Sequence, residues 1–333
     1  MSNILKTNNP SNYLIIFIIG IIVWLPGFFA IPEIEIISKH YSLLFKSLNI
    51  NSLDIYVNKA IAFAIVYILS VYLIHINQKL AIINGSYQLP GVLLITLSGL
   101  SFSCQQITPG LISTLLIVLA TKRIIDTYQK SNVLANCFDA GFFVALASLI
   151  HTQAITYTIF LMLAILIIRP FKIREYLTIF IGIATPILLF IAVLFLFDKE
   201  QLFFNNFNRF FPIKYYPEKF NFINIISYIP IVLLGYFSLL FMASESSLKK
   251  NVTRKQLSVI SIFFILSSIS LIIPINNFIN EFFTLLIPIS LILSFFMVNN
   301  KSRFMRKFIS YLLIINVIAS QIIQMFNYLN IEF

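Results

Sequence analysis

Long apolar stretches alternate with short polar interruptions along the whole chain. The stretches fall at residues 13–31, 58–76, 89–103, 107–121, 138–152, 154–169, 175–197, 222–243, 257–275, 278–298 and 308–328. Continuous blocks of this kind, roughly 14 to 22 residues each, predict helices rising about 1.5 Å per residue across a hydrocarbon core of about 30 Å. Strands of a closed barrel would instead alternate apolar and polar positions in shorter segments. The expected fold class is therefore all-α, a polytopic integral membrane protein of about eleven transmembrane helices, with residues 1–333 forming one integral domain. The first block runs through Trp24 and Pro26 without a small-residue cleavage site, so it is expected to stay as a permanent helix.

Composition agrees with the pattern. Of the 333 residues 59% are hydrophobic and 11% charged, with a mean hydropathy of +0.94, too apolar for a water-soluble domain of this size to cover its own surface.

Charge adds direction. If the blocks are spans, one side carries sixteen Lys and Arg against four acids and the other seven against eight, so the sides hold +12 and −1 of the total +11. The excess of Lys and Arg in short loops marks the cytoplasmic side, which predicts a cytoplasmic N-terminus, an outer C-terminus and a bacterial inner (cytoplasmic) membrane location. The basic residues sit within a few positions of helix ends, where anionic headgroups attract them, so membrane lipids rather than nucleic acid are the expected partners. Cys104 and Cys137 fall about one span apart and predict no disulfide.

Both larger outer loops, 32–57 and 198–221, read as amphipathic helices lying at the membrane interface. In the first, Ile37, Tyr41, Leu44, Phe45 and Leu48 share one face, with Glu33, Glu35 and His40 nearby. In the second, Phe203, Phe204, Phe207, Phe210 and Phe211 repeat the same spacing, and Arg209 faces the other way.

Between these loops lie two hairpins with short arms. The blocks 89–103 and 138–152 reach only about 22 Å, less than the hydrocarbon thickness, so their outer turns are expected to sit below the surface. Those turns carry Gln105, Gln106, His151 and Gln153, hydrogen-bonding chemistry where a bare turn needs only glycine or serine. A sunken polar floor under amphipathic roofs is the best candidate binding site: Glu33 and Glu35 as catalytic carboxylates, and His40, Gln105, Gln106, His151, Gln153 and Arg209 as substrate contacts.

The chain has three histidines, His40, His75 and His151, assigned to opposite sides of the membrane, which excludes an iron or zinc centre built on three or four of them. No P-loop, dinucleotide fingerprint, GxSxG or HExxH occurs. No cofactor is expected, with a divalent metal left open. No span carries an acid or base at mid-depth, which counts against an ion-coupled carrier; Lys59, His75 and Asp139 stand near helix ends, where they can snorkel or cap.

Residues 136–186 contain NCFDAGFFVALASLIH followed by LIIRPFKIREYLTIFIGIATP. This text resembles a bacterial family of uncharacterised multi-pass inner-membrane proteins with similar FDAGF and RPF..RE stretches. The whole chain is also similar, more distantly, to the membrane-embedded GT-C-type polyprenyl-phosphate glycosyltransferases, which have an acidic motif in the first outer loop, interfacial helices there and short hairpins after it. That resemblance implies a carboxylate base, which maps onto Glu33 or Glu35, and basic side chains holding phosphate, for which Arg209, Lys199, Lys214 and Lys219 are available. This chain departs from the GT-C pattern in having Glu rather than Asp, and no large outer domain. The RPFKIRE segment reads as a cytoplasmic clamp, with Pro170 ending one helix and Glu175 opening the next, and Asp139 as a helix cap or dipole partner.

Two functions follow as expectations: a transferase acting at the outer face on a lipid-linked, polyprenyl-phosphate sugar substrate, or a non-enzymatic scaffold or carrier with a protein partner in the cell envelope.

Overall fold

The computed structural model describes residues 11–30, 44–45, 53–80, 83, 88–198, 222–272 and 278–328. Within them the chain is all-helical: α1 Ser11–Phe29, α2 Ile55–Leu80, α3 Leu89–Ser98, α4 Pro109–Ile125, α5 Leu134–Ile150, α6 Tyr157–Ile168, α7 Ile173–Leu196, α8 Phe222–Ser246, α9 Asn251–Ile272, α10 Phe278–Asn299 and α11 Arg303–Tyr328. Short 3-10 turns, Phe102–Gln105 and Thr152–Thr156, close the α3–α4 and α5–α6 hairpins. Seven of the eleven, α1, α2 and α7 to α11, are long and apolar enough to cross a membrane.

The remaining four are the hairpin arms. Block 89–103 contributes only ten helical residues, about 15 Å of rise, because the chain leaves the helix at Gly99 and turns. Thr108 restarts it, accepting a hydrogen bond from the Leu111 N–H at 3.1 Å ahead of Pro109, which needs no donor partner in a first turn. Helix α6 stops at Ile168, ahead of Arg169-Pro170, because the residue before proline avoids helical geometry.

Helix α10 forms the axis of the bundle. Buried residues make up 89% of its Asn280–Asn299 stretch, against 22–44% in the six other long helices, and it packs on α3, α4, α8 and α9. Gly110 of α4 lets it approach closely: a Cβ there would lie 2.3 Å from both the Cα and the carbonyl oxygen of Asn280. The exposed apolar side chains lie instead on peripheral helices, as with Leu14 and Ile22 on α1, Leu188 and Leu189 on α7 and Ile314 and Ile315 on α11, as expected of surfaces that meet lipid.

The most extensive pairing joins α5 to α7 and rests on two reciprocal glycines. A Cβ on Gly141 would sit 2.3 Å from the Ile179 carbonyl oxygen, and one on Gly182 would sit 2.3 Å from that of Phe138. Small residues permitting backbone contact are how helices associate where the hydrophobic effect gives no drive. Beyond this crossing, the last buried position of α7 is Pro186.

One end of the bundle gathers the basic residues. Lys79 lies 3.5 Å from Asp126, Arg123 3.4 Å from Asp139 and Arg169 3.3 Å from Glu175. Arg169 also donates to the carbonyls of Thr127 (2.8 Å) and Lys130 (2.5 Å), and Lys255 donates to that of Ile168 (2.8 Å). RPFKIRE is thus a clamp tying α4, α6, α7 and α9 together. Asp139 is not a cap: it stands more than a turn inside α5, whose N-cap is Val133, and pairs with Arg123.

Candidate functional site

At the opposite end the α3–α4 turn is buried rather than solvated, and five helices hold it. Ser101, Cys104 and Gln105 are fully buried. From α11, Gln324 accepts from the Phe102 N–H at 2.7 Å and donates to the Leu100 carbonyl at 3.0 Å, while Gln321 donates to the carbonyls of Val23 and Gly99, both at 2.8 Å. Asn58 of α2 accepts from the Ile107 N–H at 2.7 Å, and Asn280 of α10 accepts from the Gly110 N–H at 3.1 Å. Trp24 of α1 donates to Ser98 at 3.0 Å, and the Cys104 sulfur lies 3.4 Å from the Tyr228 hydroxyl of α8. A ten-residue helix leaves its turn inside the protein, where each backbone group needs a partner; side-chain amides supply them. Burial pushes the Cys104 thiol up to about 12, with the Tyr228 hydrogen bond working weakly against it. Neither cysteine is in a disulfide.

The second turn forms a buried acid–base pair. His151 terminates α5, and its Nε2 lies 2.6 Å from Oε1 of Glu281, in the first turn of α10, with side chains 7% and 3% exposed. The two atoms are in hydrogen-bond contact, and the pair is shut off from solvent on both sides. The other carboxylate oxygen, Glu281 Oε2, is buried without a hydrogen-bond partner. Beside it, the Tyr157 hydroxyl donates to Thr284 at 2.8 Å, and Thr284 donates to the Glu281 carbonyl at 2.7 Å. The free Glu281 oxygen can accept a hydrogen bond from an O–H or N–H donor.

Of the residues expected at the site, Glu33, Glu35, His40 and Arg209 lie outside the described residues, as do most of both interfacial segments; Phe45, from the first of these, is buried in the core. His151 is buried on Glu281. Gln105 is buried against Gly27, and neither of its amide atoms has a hydrogen-bond partner. Gln106 and Gln153 are half-buried, and Gln153 Oε1 also lacks a partner. The two turns share α10 as a wall, through Asn280 and Glu281, but Gln105 and His151 have different immediate partners.

Glu281 was not among the expected residues. Its signal was an acid inside an apolar block, which reads as a helix-end charge until His151, 130 residues away in sequence, is seen beside it. Lys59 is fully buried and caps α1, donating to the carbonyls of Gly27 and Ala30 at 2.5 and 2.6 Å. Among the described residues no cluster of three or more His, Cys, Asp or Glu could hold a metal ion.

A protein-family model matches residues 27–329, and by that match the chain belongs to DUF6427, a family of unknown function. No curated protein and no solved structure matches it, so the distant GT-C resemblance finds no counterpart there.

Proposed function

Because membership in DUF6427 carries no activity with it, we propose a function from the site: a membrane-embedded transferase that acts at the outer face of the bacterial cytoplasmic membrane on a lipid-linked substrate, a polyprenyl-phosphate sugar. In this reading the seven long helices cross the membrane, the two short hairpins enter it from the basic end, which faces the cytoplasm, and both polar turns lie buried toward the outer side. The observation that carries it is the buried His151–Glu281 pair with its unpartnered Oε2. Ionisable groups are expensive within membrane helices and mark function by default.

In the proposed reaction an acceptor hydroxyl donates its hydrogen bond to Glu281 Oε2. As that oxygen attacks the anomeric carbon, the O–H proton passes to Glu281, the new C–O bond forms and the bond from the sugar to the phosphate oxygen breaks. Polyprenyl phosphate leaves with the electron pair. His151 holds the other carboxylate oxygen, fixing its orientation, and general base catalysis of this kind contributes about 10²- to 10⁴-fold. Glu33 or Glu35 is then left the role of orienting the acceptor.

The test is complementation of a deletion strain that has a scorable envelope phenotype. Glu281→Gln and His151→Gln are expected to reach normal membrane levels without restoring the phenotype; full restoration by Glu281→Gln would sink the assignment. Singly replacing Glu33 and Glu35 by Gln tests their share.

A second reading, a proton-linked carrier, is favoured by one observation: the pair is nearly sealed, at 7% and 3% side-chain exposure. It predicts that protein-containing vesicles move protons on substrate addition, and that Glu281→Gln abolishes this movement with no lipid phosphate released in either case.

A further inference from the structure

We propose that Lys59 and Gln105 form an anion site that takes a phosphate group, at the junction of α1, α2 and the α3–α4 turn. Both side chains are fully buried and both lie against Gly27. The Lys59 ammonium lies 2.5 Å from the Gly27 carbonyl oxygen. The Gln105 amide occupies the space where a Gly27 side chain would begin, its Oε1 1.6 Å and its Nε2 3.0 Å from an ideal Cβ. Glycine is required there to admit the amide at all.

Each group keeps hydrogen-bonding capacity that the described residues leave unused. Two of the three ammonium N–H groups are spent on the carbonyls of Gly27 and Ala30. The end of a helix offsets roughly half an elementary charge, and among the described residues no carboxylate pairs with Lys59. Gln105 has no hydrogen-bond partner for either amide atom, although its turn is fixed by the bonds from Asn58 and Gln324. A buried amide without partners is destabilising, and a buried ammonium lacking a counter-charge is more so. A phosphate oxygen accepting from Lys59 Nζ and Gln105 Nε2 removes both deficits. A neutral ligand would relieve only the second, and a cation would worsen the first.

This site rests on the transferase reading only for the identity of the ligand's tail; the anion itself is argued from Lys59 and Gln105 alone. The source of the phosphate is either a lipid headgroup or the free ion.

The test uses the purified full chain in detergent, following thermal unfolding with farnesyl phosphate, farnesol or inorganic phosphate. Farnesyl phosphate is expected to raise the midpoint and farnesol is not; an equal shift with inorganic phosphate also supports the site and assigns it to the free ion. Gln105→Leu separates binding from structure. Replacing an unsatisfied buried amide by an apolar side chain of similar size leaves stability equal or higher, so this variant is expected to fold at least as well and to bind phosphate at least ten-fold more weakly. Lys59→Met is expected to lose the shift. Glu281→Gln is expected to keep it, so that failure of the transfer reaction leaves the anion site standing. The proposal is overturned if neither phosphate probe shifts the unaltered protein, or if Gln105→Leu binds with unchanged affinity.

Discussion

The two ends of the bundle solve the same problem, burying polar groups in an apolar solvent, in opposite ways. At the basic end every charge named above has a partner: Arg169 holds Glu175 and two carbonyls, Lys255 a third carbonyl, and Asp139 lies on Arg123. At the other end the backbone is satisfied as completely, by Asn58, Asn280, Gln321 and Gln324, yet Gln105 is left with nothing and Glu281 with one free oxygen. Glu175 Oε2, Arg169 Nε, Asn136 Nδ2 and Gln256 Oε1 also lack hydrogen-bond partners, but the first two belong to an ion pair, whereas both atoms of the Gln105 amide are without a partner and face a glycine. Deficits that persist inside an otherwise satisfied network point to ligand positions, and the paired end points to scaffold. The FDAGF and RPF..RE stretches belong to the scaffold: their glycine and arginine hold α5 and α7 in place.

The most damaging way to break the contrast is to force α5 and α7 apart. Gly141→Ala or Gly182→Ala puts a methyl group 2.3 Å from a backbone oxygen, and backbone cannot swing aside as a side chain can. A cost of about 3 kcal/mol is expected for either, and Gly182→Leu is expected to give no monodisperse protein on size-exclusion chromatography. If Gly182→Leu instead folds with an unchanged unfolding midpoint, the crossing is not what holds the scaffold.

Next in size is Arg169→Met. With side chains 11% and 5% exposed, Arg169 and Glu175 are a buried pair, and removing one partner strands the other at a cost of about 3–5 kcal/mol. Because an apolar pair of similar volume is often neutral, Arg169→Met with Glu175→Met is expected to recover much of that loss in a double-mutant cycle of thermal unfolding. Simple addition of the two single effects would mean that the carbonyl contacts, not the ion pair, carry the clamp.

Particular residues show where the sequence was legible. The long helices were readable because a run such as residues 175–197 is apolar throughout, and α7 occupies Ile173–Leu196. The short hairpin arms were readable from the spacing of the polar turns, since the block 89–103 is too short for a full span and its helix covers only Leu89–Ser98. Lys59 was read as a residue that snorkels or caps; it does not snorkel, being fully buried, and the helix it caps is α1, a neighbour that no local pattern names. What no local pattern carries is pairing at a distance. His151 meets Glu281 across 130 residues, and Gly141 and Gly182 are ordinary glycines until their helices cross. Glu33 and Glu35 stood out in the sequence and Glu281 did not, because position after a first span is a one-dimensional signal, whereas enclosure by α5 and α10 is a three-dimensional one.

The smallest effect tests whether the unsatisfied end is truly closed to water. Cys104 sits between Ser101 and Gln105 with its thiol pushed up to about 12 from an ordinary 9.0 by burial. The native protein is therefore expected to resist maleimide at neutral pH, since the thiolate is the reactive form and access is blocked. The sign of the linked stability follows from the same shift. Between about pH 9 and 12 the unfolded chain loses the Cys104 proton while the folded chain keeps it, so folding stability is fully present below pH 9 and declines as pH rises toward 12. Cys104→Ala removes that thiol's share of the alkaline slope and costs about 1 kcal/mol at pH 7, from the lost contact with Tyr228 and a small void. Rapid maleimide labelling of native Cys104 at pH 7 would show that water reaches the turn, and the lack of partners at Gln105 would then reflect solvation rather than a vacant ligand position.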